Sequence, residues 1–394
     1  MHPLRPQLPR GALDSCVAVL LAGGQGSRLH ELTDRECKPA IPLFATGKGP
    51  VRMVDFTMAN IVRSGLSRVI VATQYKPATL AAHVLGHWGA VFPAHGLTLR
   101  DGLSVRGLSG YGGTADAVAA NIPLIDENQP TEVIVLSGDH LYQMDYSAMI
   151  AAHRASGAAV TIAVDVVDFA HAGAFGVVEV DRANLITTFV EKPARPRPSR
   201  DIPGAVRVSM GVYVFDWAWL RATLATQQND ADFGHDILPD AVSAGVAHAY
   251  QLPVSADWQR SYWRDVGTVD SLRCALLDFT VNPPFILPTL PGPLFAPLGG
   301  HAGDILSEHP GTVFLPGAKV MVGARLVRAL IAPGTFVPAD VIVGEDAEED
   351  ARWFRRTADG TTLVTNAMLA RRGGRAVYGL QEPLRKIYVI AALA

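Results

Sequence analysis

Cys16-Val-Ala-Val-Leu-Leu-Ala-Gly-Gly-Gln-Gly-Ser-Arg28-Leu-His-Glu-Leu-Thr-Asp-Arg-Glu-Cys-Lys38 decides the fold. Its first seven residues form an apolar run bounded by polar residues and glycines, which predicts a fully buried strand feeding straight into a glycine turn. Gly23, Gly24 and Gly26 give that turn backbone conformations closed to other residues and let its amides approach a phosphate or a base. Arg28, a planar fork, and Lys38, a point charge, are spaced to neutralise a phosphate tail. A dinucleotide fingerprint needs a third glycine opening a helix, and a P-loop needs Gly-Lys-Ser/Thr. The stretch has neither. Taken alone, it reads equally well as a nucleotide grip or as a tight loop carrying two solvated cations.

From Cys16 to Phe279, short β-rich runs alternate with helical stretches, the pattern of an α/β protein with a mainly parallel sheet. Strands are expected at Arg68 to Thr73, Glu132 to Ser137, Ala159 to Val167 and Ser209 to Phe215, with a hairpin turning at Asp181 to Asn184. Helices are expected at Pro77 to Trp88, Thr114 to Ile125 and Tyr146 to Ala155, the last with Asp145 as its N-cap. After Val281 comes a proline- and glycine-rich crossover, and then aliphatic residues recur every six positions: Leu315, Met321 and Val327, followed by Ile331, Val337 and Val343. Period six predicts a left-handed parallel β-helix with three short strands per coil. The four-residue step from Val327 to Ile331 marks a shortened or looped coil.

A chain of 394 residues exceeds the usual single core, and 49% hydrophobic residues with mean hydropathy +0.20 describe a well-packed globular protein. The net charge of −3 and the absence of a Lys/Arg block argue against nucleic acid or an anionic membrane as partner. No apolar stretch is long enough to span a bilayer. Cys16, Cys37 and Cys274 are odd in number and far apart, which fits a reducing cytoplasm rather than a disulfide framework.

Two acids stand out. Asp139 ends a buried strand and Asp265 precedes a tight turn and helix; converging from separate strand ends, two carboxylates hold Mg2+, a hard cation shared with substrate phosphates. Each alone reads as an ordinary turn former or helix cap. Lys192, closing a strand before Pro193, reads as a sugar-phosphate contact or as a solvated lysine. Gly110-Tyr-Gly-Gly-Thr-Ala-Asp116 is a second glycine turn opening a helix, so its amides are expected to face an anion, with Tyr111 against a ring. His83 and His87 lack a third metal ligand nearby and are expected at the surface, and Trp217 and Trp219 are expected to be packing residues.

Leu21-Ala-Gly-Gly-x-Gly-x-Arg-Leu, Lys38-Pro-Ala, Thr73-Gln-Tyr, Gly113-Thr-Ala-Asp, Gly138-Asp-His-x-Tyr, Val190-Glu-Lys-Pro, Ser209-Met-Gly-Val-Tyr, Asp232-Phe-Gly, Tyr262-Trp-Arg-Asp-Val-Gly-Thr and Gly344-Glu-x-Ala-Glu-Glu-Asp occur in this order. The chain thereby resembles the ADP-glucose pyrophosphorylases, glucose-1-phosphate adenylyltransferases of glycogen synthesis, over nearly its whole length. The resemblance implies a glycosyltransferase-A-like nucleotidyltransferase domain and a left-handed β-helix, assembled as a homotetramer in the cytoplasm. Its domains would be an extension at 1–15, the catalytic domain at 16–280, a linker at 281–310, and the β-helix with its tail at 311–394. It implies Mg2+-dependent AMP transfer from ATP to glucose 1-phosphate, with Arg28, Lys38, Asp139 and Asp265 catalytic and both aspartates on the metal. Leu21, Ala22, Gly23, Gly24, Gln74, Gly113 and Thr114 would bind ATP; Tyr111, Gly176, Glu191, Lys192 and Ser209 would bind glucose 1-phosphate.

The chain departs from the family pattern at Gly112, where an arginine is usual, and at Leu103 to Ser109, which replaces a glutamine-rich loop. Extra residues follow Leu43, Glu36 replaces an arginine of the bacterial allosteric pattern, and His235 replaces a lysine. These changes leave room for a non-catalytic regulatory subunit, or for another nucleotide or sugar.

Overall fold

The computed structural model describes residues 11, 13–47, 49–199, 201–252, 262–281, 283–285, 308–373 and 387–389. Most of the expected extension and most of the linker lie outside them. Two compact units form, one from Met1–Gly24, Thr57–Gly138 and Tyr142–Trp263, the other from Gln25–Phe56, Asp139–Leu141 and Arg264–Ala394.

The first unit is built on a nine-stranded sheet with Cys16–Leu21 at its centre. That strand pairs in parallel with Glu132–Ser137 on one side and Val69–Thr73 on the other, and Leu97–Asp101 extends the parallel half. Val17, Val19, Val133 and Val135 are fully buried, as strands covered on both faces must be. The long strand Ala205–Asp216 pairs antiparallel with Glu132–Ser137 and with Val160–Asp168, opening an antiparallel half that ends in the hairpin Val177–Val180 and Ile186–Val190. The hairpin turns where expected, with Asn184 at φ 63°. Asp145 caps the helix Tyr146–Ser156 by accepting the Ser147 amide at 3.0 Å.

The expected helix from Thr114 to Ile125 is two, Thr114–Ala119 and Ile122–Asp126. Pro123 has no N–H to continue the first, and the Asn121 side chain turns back to the Ala117 carbonyl at 2.8 Å. His83 is buried rather than at the surface: its helix, Ala78–Trp88, faces the core with Leu80, His83, Val84 and Trp88. Trp217 and Trp219 do pack. Trp217 is buried, its indole donating to Asp126 at 2.9 Å, and Trp219 stacks on Phe215.

In the second unit Phe44, Phe56 and Phe279 pack edge to face or tilted, tying the hairpin Pro42–Thr46/Gly49–Arg52 to the helix Val269–Val281. The β-helix follows. Val313 pairs with Leu330, Val320 with Val337 and Leu326 with Val343, all in parallel and each 17 residues apart. Leu315, Ile331, Val337 and Val343 are buried as expected, but after Leu315 the inward positions are Val320 and Leu326, while Met321 and Val327 are only half-buried. The coil is one residue short of three hexapeptides, so the register shifts by one after Leu315. The four-residue step is that shortened coil; a loop comes later, where Leu330 next pairs with Leu363, 33 residues on, and the helix Ala347–Trp353 and strand Arg355–Arg356 fill the excursion.

Candidate active site

In the second unit the two acids read from the sequence come together. The short strands His140–Tyr142 and Trp263–Asp265 pair with one another, so Asp139 and Asp265 stand at the ends of one ribbon. Lys38 rises between them, its ammonium 2.7 Å from Asp139 Oδ2 and 3.5 Å from Asp265 Oδ1. His140 Nε2 lies 3.5 Å from Asp139 Oδ1 and 3.8 Å from Asp265 Oδ1. Lys38 is only 5% exposed, so its cation is desolvated and answered by both carboxylates. Two converging carboxylates form a hard-oxygen donor set, which suits a divalent cation. Among the described residues no group of three His, Cys, Asp or Glu side chains placed to hold a metal ion forms.

Two glycines shape this cluster. Gly26, at φ +69°, lies where a Cβ would come within 2.7 Å of Lys38 Cβ, so both its backbone and its missing side chain seat the lysine. A Cβ on Gly267 would lie 2.8 Å from Arg28 Nη2 and 3.0 Å from Asp265 Oδ2; the bare turn lets guanidinium and carboxylate approach across it. Sequence reasoning missed His140 and Gly267, although both adjoin the aspartates it singled out.

In the first unit, strand Cys16–Leu21 delivers Leu21, Ala22, Gly23 and Gly24 to the end of the parallel sheet. The Ala22 amide donates to the Ala72 carbonyl and the Tyr75 amide to that of Gly23, so this backbone is fixed beside Gln74. Gly23 has Gln74 Cβ 3.1 Å from where its own Cβ would be, whereas Gly24 has nothing within 4 Å. The Gln74 amide is committed: Oε1 accepts from the Tyr111 backbone N–H at 2.5 Å and Nε2 donates to the Tyr111 carbonyl at 3.2 Å. Gln74 therefore anchors the second glycine turn.

That turn differs from expectation. The Ala115 and Asp116 amides both donate to the Ala231 carbonyl, and the Gly112 amide donates to Asp116 Oδ2 at 3.0 Å, so these donors are taken up within the chain. Thr114 Oγ1 donates to Asp232 at 2.7 Å and accepts from the Phe233 amide at 3.0 Å. Gly112 and Gly113 are glycine because Cβ atoms there would stand 2.2 Å from the carbonyl oxygens of Asn229 and Ala231. Tyr111 is buried rather than presented to a sugar; its hydroxyl donates to the Arg100 carbonyl at 3.2 Å and accepts from Asn121 at 3.1 Å. Burial raises its phenol above the usual range. Arg106, from the replaced loop, pairs with buried Asp116.

The sugar-side candidates do converge. Cβ atoms on Gly176 and Gly234 would stand 2.8 Å from Glu191 Oε2, so Glu191 lies sandwiched between two bare backbones. Its Oε1 holds the exposed Lys192 ammonium at 2.9 Å, and the Ser209 amide donates to the Gly176 carbonyl at 2.8 Å. Gly234 was not singled out, because its closeness to Glu191 is a tertiary fact without a local signal.

The family model described as "Nucleotidyl transferase" matches residues 17–281, and that described as "GlmU-like, C-terminal hexapeptide" matches 305–364. A glucose-1-phosphate adenylyltransferase of Jannaschia sp. (strain CCS1) is 36% identical over 90% of this chain and 97% of its own. Those of Albidiferax ferrireducens, 38% identical over 90% and 95%, and Cereibacter sphaeroides (strain ATCC 17029), 36% over 94% and 99%, agree. The chain belongs to the glucose-1-phosphate adenylyltransferase family. Glu36 accepts from Arg52 Nη1 at 2.9 Å, and burial raises its carboxyl against the opposing pull of that guanidinium.

Proposed function

We propose that the chain transfers AMP from ATP to glucose 1-phosphate, giving ADP-glucose and pyrophosphate. The observation that carries this reading is the meeting of Asp139 and Asp265 on the buried Lys38 ammonium. Both aspartates would hold Mg2+, which supplies charge neutralisation on the triphosphate when bound. Arg28 and Lys38 add fixed positive charge for the departing pyrophosphate, and Leu21, Ala22, Gly23, Gly24, Gln74, Gly113 and Thr114 form the nucleotide side. Glu191, set between Gly176 and Gly234, accepts from sugar hydroxyls, while Lys192 and the Ser209 edge take the sugar phosphate. The sugar-phosphate oxygen attacks the α-phosphorus as the bond to the β-phosphate bridging oxygen breaks. No covalent enzyme intermediate is needed, so catalysis rests on alignment and charge.

We further propose domains at 16–280 and 311–394, a homotetramer, and a cytoplasmic setting. The last is supported by the free thiols of Cys16 and Cys37, which burial keeps protonated, Cys37 being pushed up to about 11. Among the described residues no helix is long and apolar enough to cross a membrane. Pyrophosphate release with glucose 1-phosphate and Mg2+, run against ATP, UTP, dTTP and GTP, tests the activity. ATP is expected to win; another preferred nucleotide would redirect the reading, and no release with any would leave the regulatory-subunit alternative.

A further inference from the structure

The excursion from the β-helix is not an idle loop. Arg355 reaches Glu31 with both arms of its guanidinium, Nε to Oε2 at 2.7 Å and Nη2 to Oε1 at 2.6 Å. Thr357 Oγ1 donates to Asp270 at 2.8 Å, and the buried Arg273 donates to Thr361 Oγ1 at 2.9 Å and to the Gly311 carbonyl at 2.8 Å. Glu31 sits on the turn Ser27–Thr33, which carries Arg28; Asp270 and Arg273 sit on the helix Val269–Val281, which begins just after Asp265. One short hairpin is therefore bonded both to the turn that carries Arg28 and to the helix that follows Asp265.

We propose that Arg355 is a positioning residue for adenylyl transfer, acting through Glu31 to hold the Ser27–Thr33 turn, and so Arg28, in its triphosphate-binding placement. The turn needs an external hold: His30 within it has φ 52° and ψ −127°, outside the ordinary wells, and such a backbone persists only where its surroundings fix it. A single exposed ion pair contributes little, but this one is bidentate and shares its hairpin with two further side-chain anchors. The proposal rests on the adenylyl-transfer reading for its kinetic consequence and not for its structural one.

The test uses the full chain with Arg355→Glu, Glu31→Arg and the double swap, reading hydrogen exchange across residues 26–33 and the KM for ATP against kcat. Each single variant is expected to speed exchange in the turn and raise the KM about three- to tenfold, with kcat within about twofold, and the swap to restore both. Wild-type exchange and KM in the singles, or a swap no better than either single, would overturn it. Arg355→Gln gives the same reading should Arg355→Glu not fold. Because exchange is read without turnover, a failed clasp is distinguishable from a failed assignment of the reaction.

Discussion

Lys38 shows how much one residue can settle. A lysine 5% exposed is stable as a cation only with partners, and it has two in Asp139 and Asp265. Lys38→Ala leaves two carboxylates facing each other across the space the ammonium held. Steady-state pyrophosphate release should fall about a hundredfold or more, as expected for losing a fixed charge at the transferring phosphates. Gly26→Ala should act on the same lysine, since a Cβ would meet it at 2.7 Å and φ is +69°. Chemical denaturation should show a loss of about 1–2 kcal/mol, together with reduced turnover. Tyr111→Phe should leave the KM for glucose 1-phosphate unchanged and cost about 1 kcal/mol, because its hydroxyl is spent on Arg100 and Asn121 inside the protein. A raised sugar-phosphate KM with unchanged stability would return Tyr111 to the ligand.

Strands such as Cys16–Leu21 and Glu132–Ser137 were legible because an apolar run buried on both faces has no other use, and the hairpin at Asn184 because its turn residues tolerate a positive φ. The β-helix period was visible too, and its phase at Leu315 and from Ile331 to Val343, but not between them: a 17-residue coil places Val320 and Leu326 inward, and nothing local distinguishes Met321 from Val320. At the candidate site, Asp139, Asp265 and Lys38 could be read because each ends or follows a recognisable element. Gly234 beside Glu191, and Arg106 paired with Asp116, depend on tertiary contacts and left no periodic trace. The Glu31–Arg355 pair adds a pH prediction. Arg355, through its hydrogen bonds, holds the Glu31 carboxyl below its ordinary value of 4.5, so the pair's contribution is present above that pH and lost as pH falls through the depressed value. The melting difference between wild type and Arg355→Gln should be visible at neutral pH and shrink on acidification below 4.5.

For the whole molecule, one chain supplies two sets of groups: carboxylates with two cations in one unit, and a glycine-lined nucleotide and sugar set in the other. If the homotetramer proposal holds, sedimentation will give a mass near four times the 42.0 kDa chain; a single-chain mass would refute it. The account stands or falls on the paired aspartates. Binding of Mn2+ in the presence of ATP, followed by electron paramagnetic resonance in the wild type and in Asp139→Asn and Asp265→Asn, reads that pair directly. Wild type should bind the ion, with affinity down about tenfold or more when either carboxylate is lost. Equal Mn2+ affinity in all three proteins would contradict the account.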